Sequence, residues 1–265
     1  MMRVGLAMLQ GARHEHEEAL LSIAEELNHT VEVVHLRRAE DLDDTIQGLV
    51  LPGGESTTMR IASRSEGLLE SIFEWMEKHP KRPVLGTCAG AILLANPSKN
   101  RTPFIRANIS RNAWGRQRQS FEAPIEVTID QTERSSVTIT RKPDAFGHTP
   151  LVVGTVESTI STDAFPGVFI RAPRFESEGI QCEIIAWFNE EPVGVLDGSK
   201  CAVTFHPELT NEDNRLRFQR YMHIYGKLFG EVKAQHILDS HKPSPESNNL
   251  LRDFHNLVVQ KMNMY

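Results

Sequence analysis

The sequence is short of cysteine, of basic clusters and of long apolar runs. Its three cysteines, at positions 88, 182 and 201 of 265, are odd in number and lack metal-ligand spacing, which is typical of a reducing compartment. The net charge of −6, without a basic run interleaved with aromatic residues, argues against binding to nucleic acid or to an anionic membrane. The apolar start of the chain ends at Gln10, too early for a secretory signal or a membrane span. We therefore expect a cytoplasmic protein that binds neither nucleic acid nor membrane.

The first hundred residues alternate between β-rich and helical patterns. Strands are predicted over Arg3–Leu9, Thr30–Leu36, Ile46–Leu51 and Val84–Leu85, and helices over Arg13–Leu27 and Thr58–Lys78. This alternation across short loops predicts a parallel sheet with helices on both faces. Ligands of such sheets bind at the carboxyl ends of the strands, where Gln10, Gly53 and Cys88 would lie.

After Ala95 the pattern changes to short strands separated by turns. These strands are predicted over Phe104–Ile109, Glu122–Ile129, Ser135–Arg141, Leu151–Val156, Val168–Ile170, Glu183–Phe188, Val193–Leu196 and Ala202–Phe205, and a closing helix over Asn214–Phe229. They predict an antiparallel extension of the sheet. The predicted fold class is therefore α/β, a parallel-core mixed sheet flanked by helices, with an antiparallel edge extension.

The end of the chain differs in composition. Residues 240–249 resemble a linker, and the apolar stripe that follows predicts a short amphipathic helix. The stripe consists of Leu250, Leu251, Phe254, Leu257 and Val258. This helix either packs on its own domain, which we favour because apolar stripes are usually core, or binds a partner or a second copy. We predict one domain over residues 1–230, and a linker with an amphipathic helix over residues 231–265.

Cys88 lies in the pentapeptide GTCAG, between an apolar strand and the start of a helix. Its small neighbours permit a sharp strand-to-helix turn that presents the thiol, a cysteine form of the nucleophile elbow. The free N–H groups at the start of the helix favour a thiolate. On the pentapeptide alone, a reactive thiol and a buried structural cysteine are equal alternatives.

A histidine and a carboxylate follow the last predicted strand. Pro207 favours an extended backbone at His206, and residues two apart on an extended chain project to the same side. Glu208 can then accept a hydrogen bond from Nδ1 of His206, which leaves Nε2 to face the thiol. A surface turn is the alternative, but beside a cysteine elbow the pattern favours a triad of Cys88, His206 and Glu208.

Two further histidines open the first predicted helix. His14 and His16 alternate with acidic residues, and no third ligand has the spacing that a metal site needs. We interpret them as part of a salt-bridge cluster at the helix start.

Backbone donors and arginines complete the candidate site. Gly53 and Gly54 follow a strand and leave N–H groups for the oxyanion of an acyl transfer, where one donor contributes about 3 kcal/mol. A phosphate cradle is the competing use, but neither nucleotide-binding glycine motif is present. Arg111 and Arg171 can hold a substrate carboxylate through two parallel hydrogen bonds, or they are structural arginines.

Six motifs together resemble the PdxT/SNO group of class I glutamine amidotransferases, the glutaminase subunits of pyridoxal 5′-phosphate synthase. They are LQGA at 9–12, LPGGESTTM at 51–59, GTCAG at 86–90, RN at 111–112 with GRQ and SF shortly after it, FIRAP at 169–173 and FHPEL at 205–209. The resemblance covers roughly residues 3–228. The GTCAG and HPE motifs alone indicate only the wider amidotransferase superfamily. The LQGA, GGEST and FIRAP segments narrow the resemblance to the PdxT/SNO group.

The resemblance implies a flavodoxin-like fold and a glutaminase reaction. Cys88 would attack the side-chain amide of L-glutamine, His206 would transfer the proton, and Glu208 would orient His206. Glutamine would be bound by Gly54, Glu55, Ser56, Arg111, Ile170 and Arg171, and the oxyanion hole and its activation would involve Gly53, Gly54 and Gln10. The resemblance implies neither a metal nor a prosthetic group.

The resemblance also implies a partner. Ammonia would pass, unreleased, to a synthase subunit of the PdxS/SNZ type in a large hetero-oligomer, and docking would complete the oxyanion hole near Gly53 and Gly54. Alternatives are a class I glutaminase for another acceptor, a γ-glutamyl hydrolase, and a degenerate regulatory paralogue. The chain departs from the family pattern in a shortened segment between Ala95 and Arg111, an insertion at about 130–163 predicted as hairpins, and the tail after Gly230.

Overall fold

The computed structural model describes residues 1–26, 30–111, 113, 120–127 and 165–209. The helices are α1 (Arg13–Glu26), α2 (Ser56–Ala62), α3 (Leu68–Lys78) and α4 (Ala89–Ala95), and none of these described helices is long and apolar enough to cross a membrane. The strands are β1 (Met2–Ala7), β2 (Val31–Leu36), β3 (Gly48–Leu51), β4 (Val84–Thr87), β5 (Ile109–Ser110), β6 (Phe121–Val127), β7 (Phe165–Phe169), β8 (Arg174–Phe175), β9 (Glu183–Phe188), β10 (Glu191–Asp197) and β11 (Lys200–Val203).

Several predictions concern parts of the chain outside the described residues. They are the strands over Ser135–Arg141 and Leu151–Val156, the insertion at about 130–163, the closing helix over Asn214–Phe229, the domain boundary at residue 230 and the terminal amphipathic helix. These stay predictions.

Nine of the described strands form one mixed sheet in the order β2-β1-β3-β4-β11-β10-β9-β6-β7. The first five strands in this order are parallel to one another, while β10, β9, β6 and β7 continue the sheet with antiparallel pairings. The short strands β5 and β8 pair separately. The predicted fold class, a parallel-core mixed sheet with an antiparallel extension, is confirmed.

The sheet is covered on both faces because its strand residues alternate between two hydrophobic clusters. Val4 and Leu6 pack with Leu20 of α1 and with a group of phenylalanines, namely Phe121, Phe165, Phe169, Phe188 and Phe205. Leu49 and Leu51 face the other way and pack with apolar residues of α2, α3 and α4. The two clusters hold the carboxyl ends of β1, β3, β4 and β11 at one edge, where the candidate site lies.

Two of the predicted elements are wrong in detail. The helix predicted over Thr58–Lys78 is split into α2 and α3, because Gly67 adopts a left-handed backbone (φ +64°) that interrupts the helix. The strand predicted over Phe104–Ile109 is absent from the described structure apart from Ile109. The N–H groups of Phe104 and Ile105 instead donate to the carbonyl of Leu94 (2.9 and 3.4 Å), so this segment caps the end of α4.

Candidate active site

Cys88 lies where β4 ends and α4 begins, with an unusual backbone conformation. Its φ is +48°, and its N–H donates to the carbonyl of Val203 on the adjacent strand (2.9 Å). A non-glycine residue in such a conformation costs about 1–3 kcal/mol and persists only where the surrounding structure holds it. The side chain is buried, and Sγ lies 4.0 Å from the carbonyl oxygen of Ile170. The thiol therefore faces the loop that follows β7.

The two glycines of the elbow are required by close backbone contacts. A Cβ atom on Gly90 would lie 2.0 Å from the carbonyl oxygen of Leu51, and one on Gly86 would lie 2.7 Å from the backbone of Gly90. Both distances are shorter than real Cβ contacts allow. The start of α4 thus packs directly on the end of β3, which brings the thiol to the same edge as the turn at Gly53.

The segment after β11 brings His206 and Glu208 to this edge. Nδ1 of His206 and Oε1 of Glu208 are 2.7 Å apart, and both side chains are buried. The His206 N–H donates to the carbonyl of Val168 on β7 (2.8 Å). The backbone differs from the extended segment that we predicted, because Pro207–Leu209 forms a 3-10 turn in which the N–H of Leu209 donates to the carbonyl of His206 (3.3 Å).

Electrostatics favour the charged forms of both side chains. Burial disfavours a protonated imidazole, but hydrogen bonds with Cys88 and Glu208 outweigh it and raise the pKa of His206 to about 10. Burial also disfavours the Glu208 carboxylate, but the hydrogen bond and the positive charge of His206 favour it, and the pKa of Glu208 is lowered. At neutral pH the pair is therefore an imidazolium and a carboxylate, with Cys88 as the second hydrogen-bond partner of the imidazolium.

A cleft of about 260 Å³ opens beside His206. It is lined by Gly11, Ala12, Glu15, Gly54, Ile170, Arg171, His206 and Leu209. Four of these residues, Gly54, Ile170, Arg171 and His206, belong to the predicted site. The cleft therefore lies between the turn after β3, the loop after β7 and the segment after β11. The loop after β7 is sharply turned, since the backbone of Arg171 has a φ of +43°.

The turn after β3 carries Gly54, Glu55 and Ser56. Gly54 lines the cleft, whereas Ser56 is buried at the start of α2. The Glu55 carboxylate accepts hydrogen bonds from the N–H groups of Thr57 and Thr58 (3.1 and 2.6 Å) and so caps α2. Burial opposes its charge, but these bonds and the threonine hydroxyls lower the pKa of Glu55 to about 2.

Gln10 contacts the same turn from the end of β1. Its Oε1 accepts a hydrogen bond from the N–H of Glu55 (3.1 Å). The amide of Glu55 is thus engaged by a side chain, and it is adjacent in sequence to the predicted oxyanion donors Gly53 and Gly54.

Arg111 lies beside the start of α2 and is not among the residues that line the cleft. Its Nη1 donates to Oγ1 of Thr57 (3.0 Å). The shortened segment that leads to Arg111 is anchored by Arg60, whose guanidinium donates to the carbonyls of Asn96 and Pro97. Residues 114–119, which contain the GRQ motif that follows Arg111, lie outside the described part of the chain.

Two residues near the site were not selected from the sequence. Glu15 lines the cleft, and His16 is fully buried with Nε2 3.4 Å from Oε2 of Glu208. Our interpretation of His16 as part of a salt-bridge cluster at the helix start is therefore wrong, because its ring is buried against Glu208 and Thr87. The sequence does contain a signal for the burial of His16. It is spaced three and four residues from Ala19 and Leu20, so it lies on the buried face of α1. Within the described ranges, no three His, Cys, Asp or Glu side chains are grouped to hold a metal ion.

Comparison with known proteins identifies the family. The model of the SNO glutamine amidotransferase family matches residues 6–145. The chain is 36% identical over 219 residues to "Pyridoxal 5'-phosphate synthase subunit PdxT" of Thermococcus onnurineus, an alignment that covers 80% of this chain and 94% of that protein. It is 37% identical over 219 residues to the protein of the same name from Haloarcula marismortui, covering 81% and 93%. A crystal structure described as a glutamine amidotransferase is 32% identical with a TM-score of 0.58, covering 86% of this chain and 98% of that one. This chain belongs to the SNO glutamine amidotransferase family.

Proposed function

We propose that this chain is the glutaminase subunit of a pyridoxal 5′-phosphate synthase, in the route to vitamin B6. It hydrolyses L-glutamine to glutamate and ammonia, and it passes the ammonia to a synthase partner. The observation that carries the proposal is the 2.7 Å hydrogen bond between His206 and Glu208 next to the Cys88 elbow, in a chain 36% identical to a synthase subunit over most of its length.

Cys88 is the proposed nucleophile of the first step. The raised pKa of His206 supports an imidazolium at neutral pH, and the nucleophile that we propose is the Cys88 thiolate paired with it. The sulfur attacks the side-chain carbonyl carbon of glutamine, and His206 gives its Nε2 proton to the departing nitrogen. The carbon–nitrogen bond breaks, ammonia leaves, and the γ-glutamyl thioester of Cys88 remains.

Water completes the reaction. His206, now neutral, takes a proton from a water molecule as its oxygen attacks the thioester carbonyl. The carbon–sulfur bond breaks, glutamate leaves, and the thiolate and imidazolium are restored. Glu208 keeps the ring oriented with Nδ1 towards itself and Nε2 towards the thiol throughout.

Glutamine binding is proposed at the cleft beside His206. Gly54, Ile170 and Arg171 line this cleft, while Glu55, Ser56 and Arg111 surround the start of α2 next to it. Backbone N–H groups at Gly53 and Gly54 are the proposed oxyanion donors. Because Gln10 holds the adjacent Glu55 amide, we include Gln10 in the change by which partner docking completes the oxyanion hole.

The test is covalent labelling with a glutamine-analogue electrophile, with and without the synthase subunit, followed by peptide mass spectrometry. We expect the label on Cys88, faster labelling with the partner present, and no glutamate release from Cys88→Ala. Cys182→Ala is the matched control, because this cysteine is more exposed than Cys88 and its charged neighbours are Asp197, Arg106 and Glu183 rather than the triad. Full turnover by Cys88→Ala would contradict the mechanism. A rate of glutamate release that is unchanged by the synthase subunit but increased by another partner would indicate a different ammonia acceptor.

A further inference from the structure

A second histidine contacts the proposed triad from the opposite side of Glu208. Oε1 of Glu208 lies 2.7 Å from His206, while Oε2 lies 3.4 Å from Nε2 of His16. His16 belongs to the first turns of α1 and is 0% exposed, and Glu208 is 1% exposed. The two carboxylate oxygens are therefore divided between two imidazole rings, of which only that of His206 has a part in the reaction described above.

The same nitrogen of His16 also contacts the elbow. Nε2 lies 3.1 Å from Oγ1 of Thr87, the residue that precedes Cys88. Thr87 is fully buried at the end of β4. One ring nitrogen thus connects α1 both to the strand that presents the thiol and to the proposed orienting acid.

The surroundings of Nε2 decide its protonation. Burial lowers the pKa of His16 against the attraction of Glu208, and His206 and Glu15 are the other titratable groups whose charges act on it. The ring is therefore neutral at physiological pH. An ionised carboxylate only accepts hydrogen bonds, so a nitrogen that faces both Glu208 and a hydroxyl oxygen carries the proton.

We infer that His16 is a positioning residue for the reaction, in which its Nε2 contacts Oε2 of Glu208 and restrains this side of the carboxylate while Oε1 orients His206. This inference rests on the proposed function, because it requires that Glu208 orient His206. With one oxygen bonded, a carboxylate can still turn about its terminal torsion, which is broad and only weakly restricted. With Oε1 hydrogen-bonded to His206 and Oε2 packed 3.4 Å from Nε2 of His16, the carboxylate plane is restricted, and with it the direction in which Nε2 of His206 points towards Cys88.

The test compares His16→Gln with His16→Asn in the full chain, assayed with the synthase subunit. The glutamine amide reaches the place of Nε2 and supplies an N–H donor, whereas the shorter asparagine does not. We expect His16→Asn to lower kcat by about 10- to 100-fold with little change in KM, as for loss of a polar contact with a buried charge. We expect His16→Gln to stay within a few-fold of the unsubstituted protein. Equal losses of kcat in both variants would show that His16 only fills space and would overturn the inference.

Parallel measurements separate this inference from the proposed function. If Glu208→Gln turns over at the unsubstituted rate, the proposed triad fails, whatever His16 does. If Glu208→Gln is slow but His16→Asn keeps full kcat, the inference about His16 alone is overturned. In the Glu208→Gln background we expect His16→Asn to have little further effect, because the carboxylate it positions is gone. All assays are run well below the unfolding temperature of each variant, and His16→Ser, which also lacks the donor, replaces His16→Asn if the latter does not fold.

Discussion

Gly53 has no side chain, and this allows the imidazole of His206 to lie against the turn after β3. A Cβ atom at this position would be 2.2 Å from Cε1 and 2.9 Å from Nδ1 of His206. We expect Gly53→Ala to displace the ring and to lower kcat by about 100-fold, the effect of a misplacement of about 1 Å at a catalytic group. Steady-state glutamate release with the synthase subunit measures this change.

The control for Gly53→Ala is Gly198→Ala. Gly198 has a φ of +59° in the turn between β10 and β11, at the opposite end of β11 from His206. Alanine there costs stability through backbone strain but does not touch the site. A Gly53→Ala variant with unchanged kcat would show that the imidazole adapts to the turn.

The ionisation of His206 predicts the alkaline limit of the reaction. Since its pKa is raised to about 10, the imidazolium that protonates the leaving nitrogen persists to about that pH and is lost above it. We expect kcat/KM for glutamate release to hold up to about pH 9 and then to fall roughly tenfold per pH unit beyond pH 10. An alkaline limit near 6.5, the ordinary histidine value, would contradict this assignment.

The pH profile of the Glu208→Gln variant tests whether Glu208 is a cause of the raised pKa of His206. The carboxylate raises the pKa of His206 through a hydrogen bond and through its charge, so its replacement by a neutral amide lowers that pKa. The alkaline limb should move to lower pH, together with a lower plateau. If the plateau of kcat/KM fell while the alkaline limb stayed at the same pH, Glu208 would orient His206 without setting its pKa.

The candidate triad could be selected from the sequence because its signals are local. Cys88 lies in a pentapeptide between strand and helix, and His206 and Glu208 are two residues apart at a strand end. His16 could not be assigned in the same way. Its spacing from Ala19 and Leu20 indicates a buried face, but only the folded chain brings α1 against the turn at Pro207–Leu209.

Gly67 decides whether the segment after the Gly-Gly turn is one helix or two. Its φ is +64°, and a Cβ atom there would meet nothing closer than 3.9 Å, so only backbone strain opposes a side chain. We expect Gly67→Ala to lower the free energy of unfolding by about 1 kcal/mol. Gly67→Asn should lose less, because asparagine tolerates this left-handed conformation better than alanine does.

Urea denaturation of the two Gly67 variants distinguishes strain from helix propensity. Helix propensity alone ranks alanine above asparagine, which is the opposite order. A Gly67→Ala variant more stable than Gly67→Asn would therefore mean that α2 and α3 can join. Our prediction of one continuous helix over Thr58–Lys78 was wrong because the apolar spacing continues through Gly67, where the backbone turns.

The whole site is assembled from both halves of the mixed sheet. The parallel half supplies Gly53, Cys88 and His206, while the antiparallel half supplies Ile170 and Arg171. The carbonyl of Val168 on β7 also accepts the His206 N–H (2.8 Å), which joins the halves at the site. Sequence patterns predicted both halves, but the order of the antiparallel strands, which brings β7 to this edge, depends on contacts between segments far apart in the chain.

Activation by the partner can be tested through Gln10, which joins the end of β1 to the turn after β3. Its Oε1 accepts the Glu55 N–H at 3.1 Å, next to the proposed oxyanion donors. If docking acts on this turn through Gln10, then Gln10→Ala should reduce the ratio of glutaminase activity with the synthase subunit to activity without it. The expected reduction is severalfold, since a hydrogen bond of this kind contributes about 1 kcal/mol.

Gln47→Ala is the matched control for this activation ratio. Gln47 makes the same type of hydrogen bond at the same length, accepting the Arg3 N–H at 3.1 Å, but next to the start of β1. Its replacement should leave the ratio unchanged, because the bond lies at the opposite end of the strand from the site. A ratio that is unchanged in Gln10→Ala as well would place the activating contact elsewhere on the turn. A ratio lowered equally by both variants would point to a general loosening of β1, since the two side chains share only that strand.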